Sequence, residues 1–410
     1  MRHSLKKIIG YSPFIDTRDS ESMVVIDPMF PQKIPFGFRN TEINEYFKRI
    51  DNFTSYTMPP MQPDEEAWFQ HGYGMSYSEY LNNKKGYHNF YPENKAKIQY
   101  LKPGRRYKFK LAYTYFLAET YVLLPFLEKN KIPFVFVLYP GGGFGLNFNK
   151  SDHMLKKIFS SKYFQGVIVT QQITKEYLLN NNLCLKQRIH FIYGGFVQFS
   201  SDEVMDKQYY KKDKKTFDIC FVAGKYSDKG LDKGYDLFVE TAKDLARITD
   251  DIRFHVVGNF GQTDIDVSEL NNKVTFYGFQ DKSFFPKFYA GMDIVLSPNR
   301  PGKLFPGNFD GFPLCIDAAF CGSAMFLSDE LRMNSEYTNE KDIVIIPLKT
   351  SDIVNKVMFY YHNPDKLYKL SEEGQILTER LMNIDHQIQE RLRVFEKFMS
   401  LKRRTSFNER

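Results

Sequence analysis

The sequence predicts an α/β protein built from two Rossmann-like domains that face each other. The chain has 410 residues, more than a single hydrophobic core usually holds. Short apolar strands alternate with amphipathic helices, a pattern typical of parallel sheets. The alternation starts again after a charged stretch at residues 202–215, which contains the basic run 211–215. We interpret that stretch as a solvated linker between the domains.

The first half is predicted to carry five strands and four helices. The predicted strands are residues 23–26, 98–101, 134–138, 166–170 and 190–193. The predicted helices are residues 41–50, 113–130, 151–160 and a segment that ends at residue 180. Residues 59–97 show no regular pattern, and their length favours a functional loop or lid over a simple connection.

The second half repeats the pattern. Its predicted strands are residues 217–223, 254–257, 274–277, 294–297, 324–327 and 343–346. Its predicted helices are residues 235–248, a helix that begins near Leu314, and a helical tail from residue 351. The predicted domains are residues 1–205 and 206–383, and residues 384–410 form a C-terminal helix and tail that cross back to the first domain.

Composition indicates an ordinary, slightly basic enzyme. The net charge of +7 is mild, and no nucleic-acid partner is expected. The four cysteines and eight histidines show no metal-ligand spacing, so no metal site is predicted. Neither a signal peptide nor an apolar run long enough to span a bilayer is visible, which favours a cytoplasmic location. The basic residues near both ends are compatible with peripheral association at the inner face of a membrane.

A glycine loop at residues 141–145 follows a predicted strand and precedes a helix. Glycines at such a place let backbone N–H groups approach a phosphate. Leu146 occupies the last glycine position of a dinucleotide fingerprint, which disfavours a dehydrogenase, and no Walker sequence follows. The candidate ligand contacts here are Gly142, Gly143, Phe144 and, just beyond the loop, His153.

Two further loops have the same place between strand and helix. Residues 224–234 offer lysines near a helix N-terminus, where they suit a diphosphate. Residues 298–322 place Asp310 and Asp317 around a Gly-Phe-Pro turn and a helix start. Carboxylates accept hydrogen bonds from sugar hydroxyls, and the N–H groups of a helix start can hold phosphate.

In this order, the motifs of the second half resemble the donor-binding domain of family 4 glycosyltransferases with the GT-B fold. The matching segments are residues 222–225, 233–234, 255–258, 274–278, 296–298, 310–313 and 321–322. The first half resembles the family in outline only, through residues 133–143 and 167–170. The resemblance implies a retaining, hexosyltransferase-type transfer of a sugar from a nucleoside-diphosphate donor, without a cofactor or an obligatory metal. It further implies a glycan or lipid-linked acceptor in bacterial surface polysaccharide synthesis.

The resemblance also implies roles for individual residues. Lys225 and Lys233 would neutralise the departing diphosphate, Asp310 would contact the donor sugar and Asp317 the ribose hydroxyls, and the segment after Gly278 would meet the base. The remaining predicted substrate contacts are Gly142, Gly143, Phe144, His153, Gly224, Gly278, Phe279, Gly311, Phe312, Pro313 and Leu314.

Two departures from the family pattern leave alternatives open. The family has two glutamates with seven residues between them, whereas here two aspartates enclose six, so the role of Asp310 stays open. The family often has Arg where Lys225 stands, and Lys keeps the charge without the guanidinium fork. The alternatives are a nucleotide-sugar epimerase on the same fold and a non-catalytic glycosyltransferase-like partner protein.

Overall fold

A computed structural model describes residues 15–35, 37–61, 74–225, 227–302 and 315–399 of the chain. Within these residues the architecture is mixed α/β, with two large sheets in which every pairing is parallel. The predicted α/β fold with two Rossmann-like domains is therefore confirmed.

The first sheet has seven described strands in the order β3-β2-β1-β4-β5-β6-β7. They are β1 Met23–Asp27, β2 Phe53–Thr57, β3 Ile98–Tyr100, β4 Leu111–Tyr115, β5 Phe134–Leu138, β6 Phe164–Val169 and β7 Ile189–Phe191. A separate parallel pair joins Ile15–Asp16 to Arg106–Tyr107.

The described helices of the first half flank this sheet. They are α1 Gly37–Arg49, α2 Tyr77–Tyr87, α3 Leu117–Asn130, α4 Asn149–Ser160 and α5 Gln172–Asn180, with 3₁₀ turns at Pro92–Lys97, Lys186–Arg188 and Ser201–Glu203. Two predictions are wrong here. Residues 113–115 belong to β4, because all five residues of that strand are buried in the middle of the sheet, and packing there overrides the helical pattern. The supposedly irregular residues 59–97 contain α2, which begins with a capping box between Ser76 and Glu79.

The second sheet has six described strands in the order β10-β9-β8-β11-β12-β13. They are β8 Phe217–Val222, β9 Ile252–Val257, β10 Val274–Gly278, β11 Ile294–Ser297, β12 Ala324–Leu327 and β13 Val344–Ile345. The helices are α6 Tyr235–Ile248, α7 Phe284–Ala290, α8 Ile316–Phe320, α9 Thr350–His362 and α10 Pro364–Met382, with 3₁₀ segments at Asp228–Lys233 and Ser268–Lys273.

The last helix, α11 Ile384–Met399, packs on a hydrophobic cluster of the first domain, where Phe395 contacts the rings of Tyr46 and Tyr113. A buried ion pair fastens it, since Arg391 Nε lies 3.2 Å from Glu42 Oε1 and both side chains are fully buried. The hydroxyls of Tyr46 and Tyr113 donate hydrogen bonds to the same carboxylate at 2.6 and 3.0 Å. An ionic contact of this kind needs all its partners, because either charge alone would be costly to bury.

The linker at residues 202–215 is not exposed to solvent along its whole length, so the prediction of a solvated linker is wrong for part of it. The side chain of Lys214 is only 12% exposed, and its Nζ lies 2.7 Å from Asp218 Oδ2 and 2.6 Å from Asp293 Oδ2. His255 Nε2 contacts the other oxygen of Asp218 at 2.8 Å. Burial raises the pKa of Asp218, but the contacts with His255 and Lys214 outweigh it and hold the pKa at about 2.

None of the helices in the described part of the chain is both long enough and apolar enough to cross a membrane.

Candidate functional site

The strand order of the second sheet creates a crevice at its carboxyl edge. Strands β8 and β11 are neighbours, and the chain leaves them towards opposite sides of the sheet. In open parallel sheets, ligands bind at this switch point, beyond the carboxyl ends of the strands. The loops that follow β8 and β11 are residues 223–234 and those from 298 onward, the same loops that carry the predicted lysines and aspartates.

These loops touch each other directly. Gly234 has a φ of +69°, and a Cβ placed there would lie 1.9 Å from the carbonyl oxygen of Pro298. Arg300 N donates to the carbonyl of Asp232 at 2.9 Å, and its guanidinium pairs with Asp236 at 2.6 Å. The contact between the two loops therefore depends on a residue without a side chain at position 234.

Lys233 lies between Asp232 and Gly234, the two residues at the loop contact, and is almost completely buried, with 4% of its surface exposed. Burial lowers its pKa, and the carboxylate of Asp232, 3.9 Å from its Nζ, partly opposes that effect. A desolvated ammonium group interacts with an incoming anion far more strongly than a solvated one. This residue is therefore well placed to stabilise negative charge at the switch point.

Lys225 lies at the start of the loop that follows β8, next to Gly224. Its Nζ pairs with Asp264 Oδ1 at 2.6 Å, and its backbone N–H donates to Asn259 Oδ1 at 2.7 Å. The lysine is thus linked to the loop that follows β9. In this structure it already has a carboxylate partner, which would have to share it with a bound diphosphate.

Gly278 and Phe279 lie at the same edge, at the end of β10. The carbonyl of Gly278 accepts a hydrogen bond from Gly258 N at 2.9 Å, so the ends of β9 and β10 are held together. Phe279 is 70% exposed. An exposed aromatic ring beside the crevice offers a surface on which a flat base can stack.

Asp317 lies in the first turn of α8, and both of its carboxylate oxygens are engaged. Gln198 donates its backbone N–H to Oδ1 at 3.0 Å and its side-chain amide to Oδ2 at 2.8 Å. Burial raises the pKa of Asp317 to about 6, against the lowering effect of these two hydrogen bonds. Sequence reasoning missed Gln198, because the two residues are 119 positions apart and no local pattern links them.

The glycine loop of the first domain packs tightly against the start of α3. Gly141, Gly142 and Gly143 all have positive φ, at +86°, +53° and +90°. A Cβ at Gly142 would lie 2.4 Å from the ring of Phe116, and one at Gly143 would lie 2.8 Å from the Cβ of Ala118. These close contacts, together with the positive φ, explain why glycines are needed here.

The other two predicted contacts near this loop are Phe144 and His153. The side chain of Phe144 is fully buried in the first core, and its N–H donates to the carbonyl of Gly141 at 3.0 Å. Its ring is therefore not accessible to a ligand, and only its main chain stays in the candidate site. His153 lies one turn into α4 and is partly buried.

The predicted contacts in the acidic loop fall outside the described residues. These are Asp310, Gly311, Phe312, Pro313 and Leu314.

A buried charged cluster at the switch point of the first sheet was not predicted. Between the ends of β1 and β4, Arg39 pairs with Asp27 and, at 2.6 Å, with Glu119. Its guanidinium also lies 5.2 and 5.0 Å from the rings of Tyr115 and Phe116. Burial raises the pKa of Glu119 to about 7, although Arg39 opposes the shift. Because Arg39 and Glu119 are 80 residues apart, no motif reveals this cluster.

Comparison with known families and structures agrees with this geometry. Residues 206–376 match the family model of glycosyl transferases group 1. The match covers less than half of the chain and lies within its second half. The matched segment contains the loops that meet at the crevice of the second sheet, so the site lies within the part of the chain that the family defines. A comparison with curated protein sequences found no match.

Solved structures of GT-B glycosyltransferases resemble nearly the whole chain. Sucrose-phosphate synthase from Thermosynechococcus elongatus has 13% identity and a TM-score of 0.61, and the match covers 93% of this chain and 99% of that one. HepE from Anabaena, solved with UDP and glucose, has 12% identity and a TM-score of 0.64 and covers 92% and 100% of the two chains. A glycosyltransferase from Rickettsia africae has 14% identity and a TM-score of 0.59 over 97% and 100%. The predicted GT-B fold is confirmed.

Proposed function

We propose that the protein is a retaining, family 4-like glycosyltransferase of the hexosyltransferase type. It transfers a sugar from a nucleoside-diphosphate donor to a glycan or lipid-linked acceptor in bacterial surface polysaccharide synthesis. The observation that carries this proposal is the buried Lys233 in the crevice between two interlocked loops of a glycosyl transferases group 1 domain.

In this proposal the donor's diphosphate lies against Lys233 and Lys225. As the bond from the sugar to the diphosphate breaks, negative charge accumulates on the leaving group, and the ammonium groups stabilise it without a metal ion. Lys233 is already desolvated, so little solvent has to reorganise around it during the reaction. Lys225 is held in place by Asp264 at 2.6 Å, which leaves its other two N–H donors for phosphate oxygens.

The other ends of the donor are assigned to the neighbouring loops. The base lies at the end of β10, where the main chain after Gly278 and the exposed ring of Phe279 are available. Asp317 accepts hydrogen bonds from the ribose hydroxyls. Asp310 contacts the donor sugar, and the glycine loop approaches the sugar and phosphate from the first domain. Closure of the two domains excludes water from an oxocarbenium-like transition state.

The first domain is proposed to take the acceptor, with the protein in the cytoplasm at the inner face of the membrane. The mild excess of positive charge, +7 over the chain, is compatible with an anionic membrane surface. UDP is the first donor nucleotide to test, because HepE has been solved with UDP and with UDP-glucose.

Two measurements on the purified protein test the function. Thermal shift with UDP, GDP and ADP is expected to show stabilisation by at least one of them, because a ligand that binds only the folded state raises the melting temperature. The corresponding nucleotide-sugar is then expected to be hydrolysed slowly or transferred. Stabilisation without turnover would favour the non-catalytic partner protein, and conversion of the sugar without release of nucleoside diphosphate would favour the epimerase. No stabilisation by any of the three would overturn the proposal.

A further inference from the structure

The contact between Gln198 and Asp317 joins the segment that connects the two domains to the proposed ribose site. Gln198 donates from two different groups, its main-chain N–H and its side-chain amide, and each reaches a different oxygen of the carboxylate. A single hydrogen bond would leave the carboxylate free to rotate about its broad terminal torsion. Two bonds on the two oxygens fix the plane of the group.

Gln198 is itself held rigidly. Its neighbours Val197 and Phe199 are 0% and 3% exposed and pack in the same cluster as Ile316 of α8. The main-chain N–H of Val197 also donates to the carbonyl of Met382 at the end of α10, at 2.8 Å. The segment is therefore anchored to the second domain on both sides of Gln198, and its amide is presented to Asp317 from a fixed position.

The remaining capacity of the carboxylate matches a ribose. An ionised carboxylate has about four acceptor positions, and Gln198 uses two of them. The other two suffice for the two hydroxyls of a ribose. Resting on the function proposed above, we propose that Gln198 is a positioning residue for donor binding, which fixes the carboxylate of Asp317 in the orientation that the ribose hydroxyls require.

Protonation provides an independent readout of this role. The charged or titratable groups around Asp317 are Lys282, which itself pairs with Glu203 at 2.9 Å, and the side chains of Tyr289 and Cys321. Burial raises the pKa of Asp317 to about 6, and the hydrogen bonds from Gln198 limit that rise. Loss of the amide must therefore raise the pKa further, so that nucleotide affinity begins to fall at a higher pH.

The test compares Gln198→Met, which keeps the shape but removes the amide donors, with Ser201→Ala as a matched control. Ser201 lies in the same segment and donates to Glu379 of α10 at 2.9 Å without touching Asp317. Titration calorimetry measures the affinity for UDP, GDP and ADP, each beside its 2′-deoxy form, between pH 5 and pH 8. A hydrogen bond to a charged group is worth about tenfold or more in affinity. The wild type and Ser201→Ala are therefore expected to bind the ribonucleotide about tenfold more tightly than its 2′-deoxy form.

Gln198→Met is expected to lose most of that preference and to show its loss of affinity at a higher pH than the wild type. A variant that is well folded and keeps both the tenfold preference and the wild-type pH profile would overturn the positioning role and leave the proposed function intact. Absence of binding of every nucleotide to the wild type would instead overturn the proposed function, and this inference with it. Should Gln198→Met fail to fold, Gln198→Ala is measured in its place by the same criteria.

Discussion

Replacement of Gly234 by alanine tests the contact between the two loops that form the proposed site. The added Cβ would lie 1.9 Å from the carbonyl oxygen of Pro298, whereas side-chain Cβ atoms essentially never approach other atoms closer than 3.0 Å. The loops must therefore separate by at least about 1 Å, and a displacement of that size at a reacting centre can cost about hundredfold in rate. The left-handed backbone, with a φ of +69°, adds a strain of about 1–2 kcal/mol in the folded state.

Gly104→Ala is the matched control for this variant. Gly104 has a similar φ of +76°, but a Cβ there would meet nothing within 4 Å. Gly104→Ala is expected to lose about 1–2 kcal/mol of stability in urea unfolding through backbone strain alone. Gly234→Ala is expected to lose more, because the clash with Pro298 adds to the same strain. Only Gly234→Ala is expected to lose about hundredfold in kcat/KM for the nucleotide-sugar. Equal activity of the two variants would refute the view that the loop contact builds the site.

Three further predictions concern charged groups. Lys233→Ala is expected to lower sugar transfer by about 10²–10³-fold, the loss typical of one donor that stabilises a developing anion, while Lys229→Ala, on the exposed part of the same loop, leaves the rate unchanged. The pKa of Asp218, about 2 against an ordinary 3.8, contributes about 2 kcal/mol of stability above pH 4, and this is lost as the pH falls towards 2. The free energy of unfolding of Asp218→Asn in urea is therefore expected to change less between pH 4 and pH 2 than that of the wild type. Arg391→Met is expected to lower the free energy of unfolding in urea by about 3–5 kcal/mol, because Glu42 is left buried without its ion pair. The added substitution Glu42→Gln is expected to recover much of the loss. No recovery would contradict the view that the unpaired charge of Glu42 causes it.

Local patterns were sufficient to predict the fold class and many of its elements. Strands β5, β11 and β12 occur at the predicted residues, because a short continuous apolar run indicates a strand buried on both faces. Helix α6 occurs at the predicted residues because its apolar residues recur at helical spacing. Residues 113–115 of β4 were predicted as the start of a helix, since they lie directly before the apolar helical segment of α3.

The contacts that were not predicted join distant residues. Gln198 meets Asp317 across 119 residues, and Arg39 meets Glu119 across 80. Such pairs are created by the topology that brings loops and connecting segments together, and they leave no trace in spacing or composition. The linker gives a second example. Its run of lysines predicted side chains exposed to solvent, but Lys214 is buried between Asp218 and Asp293.

The central claim is that a nucleoside diphosphate binds at the carboxyl edge of the second sheet, between the loops that follow β8 and β11. A crystal structure of the protein with bound UDP, or with whichever nucleoside diphosphate stabilises it, tests this claim most directly. The diphosphate is expected within hydrogen-bonding distance of Lys233 Nζ, with the ribose against Asp317 and the base at the end of β10. A nucleotide bound elsewhere, such as beside Arg39 at the switch point of the first sheet, would contradict it.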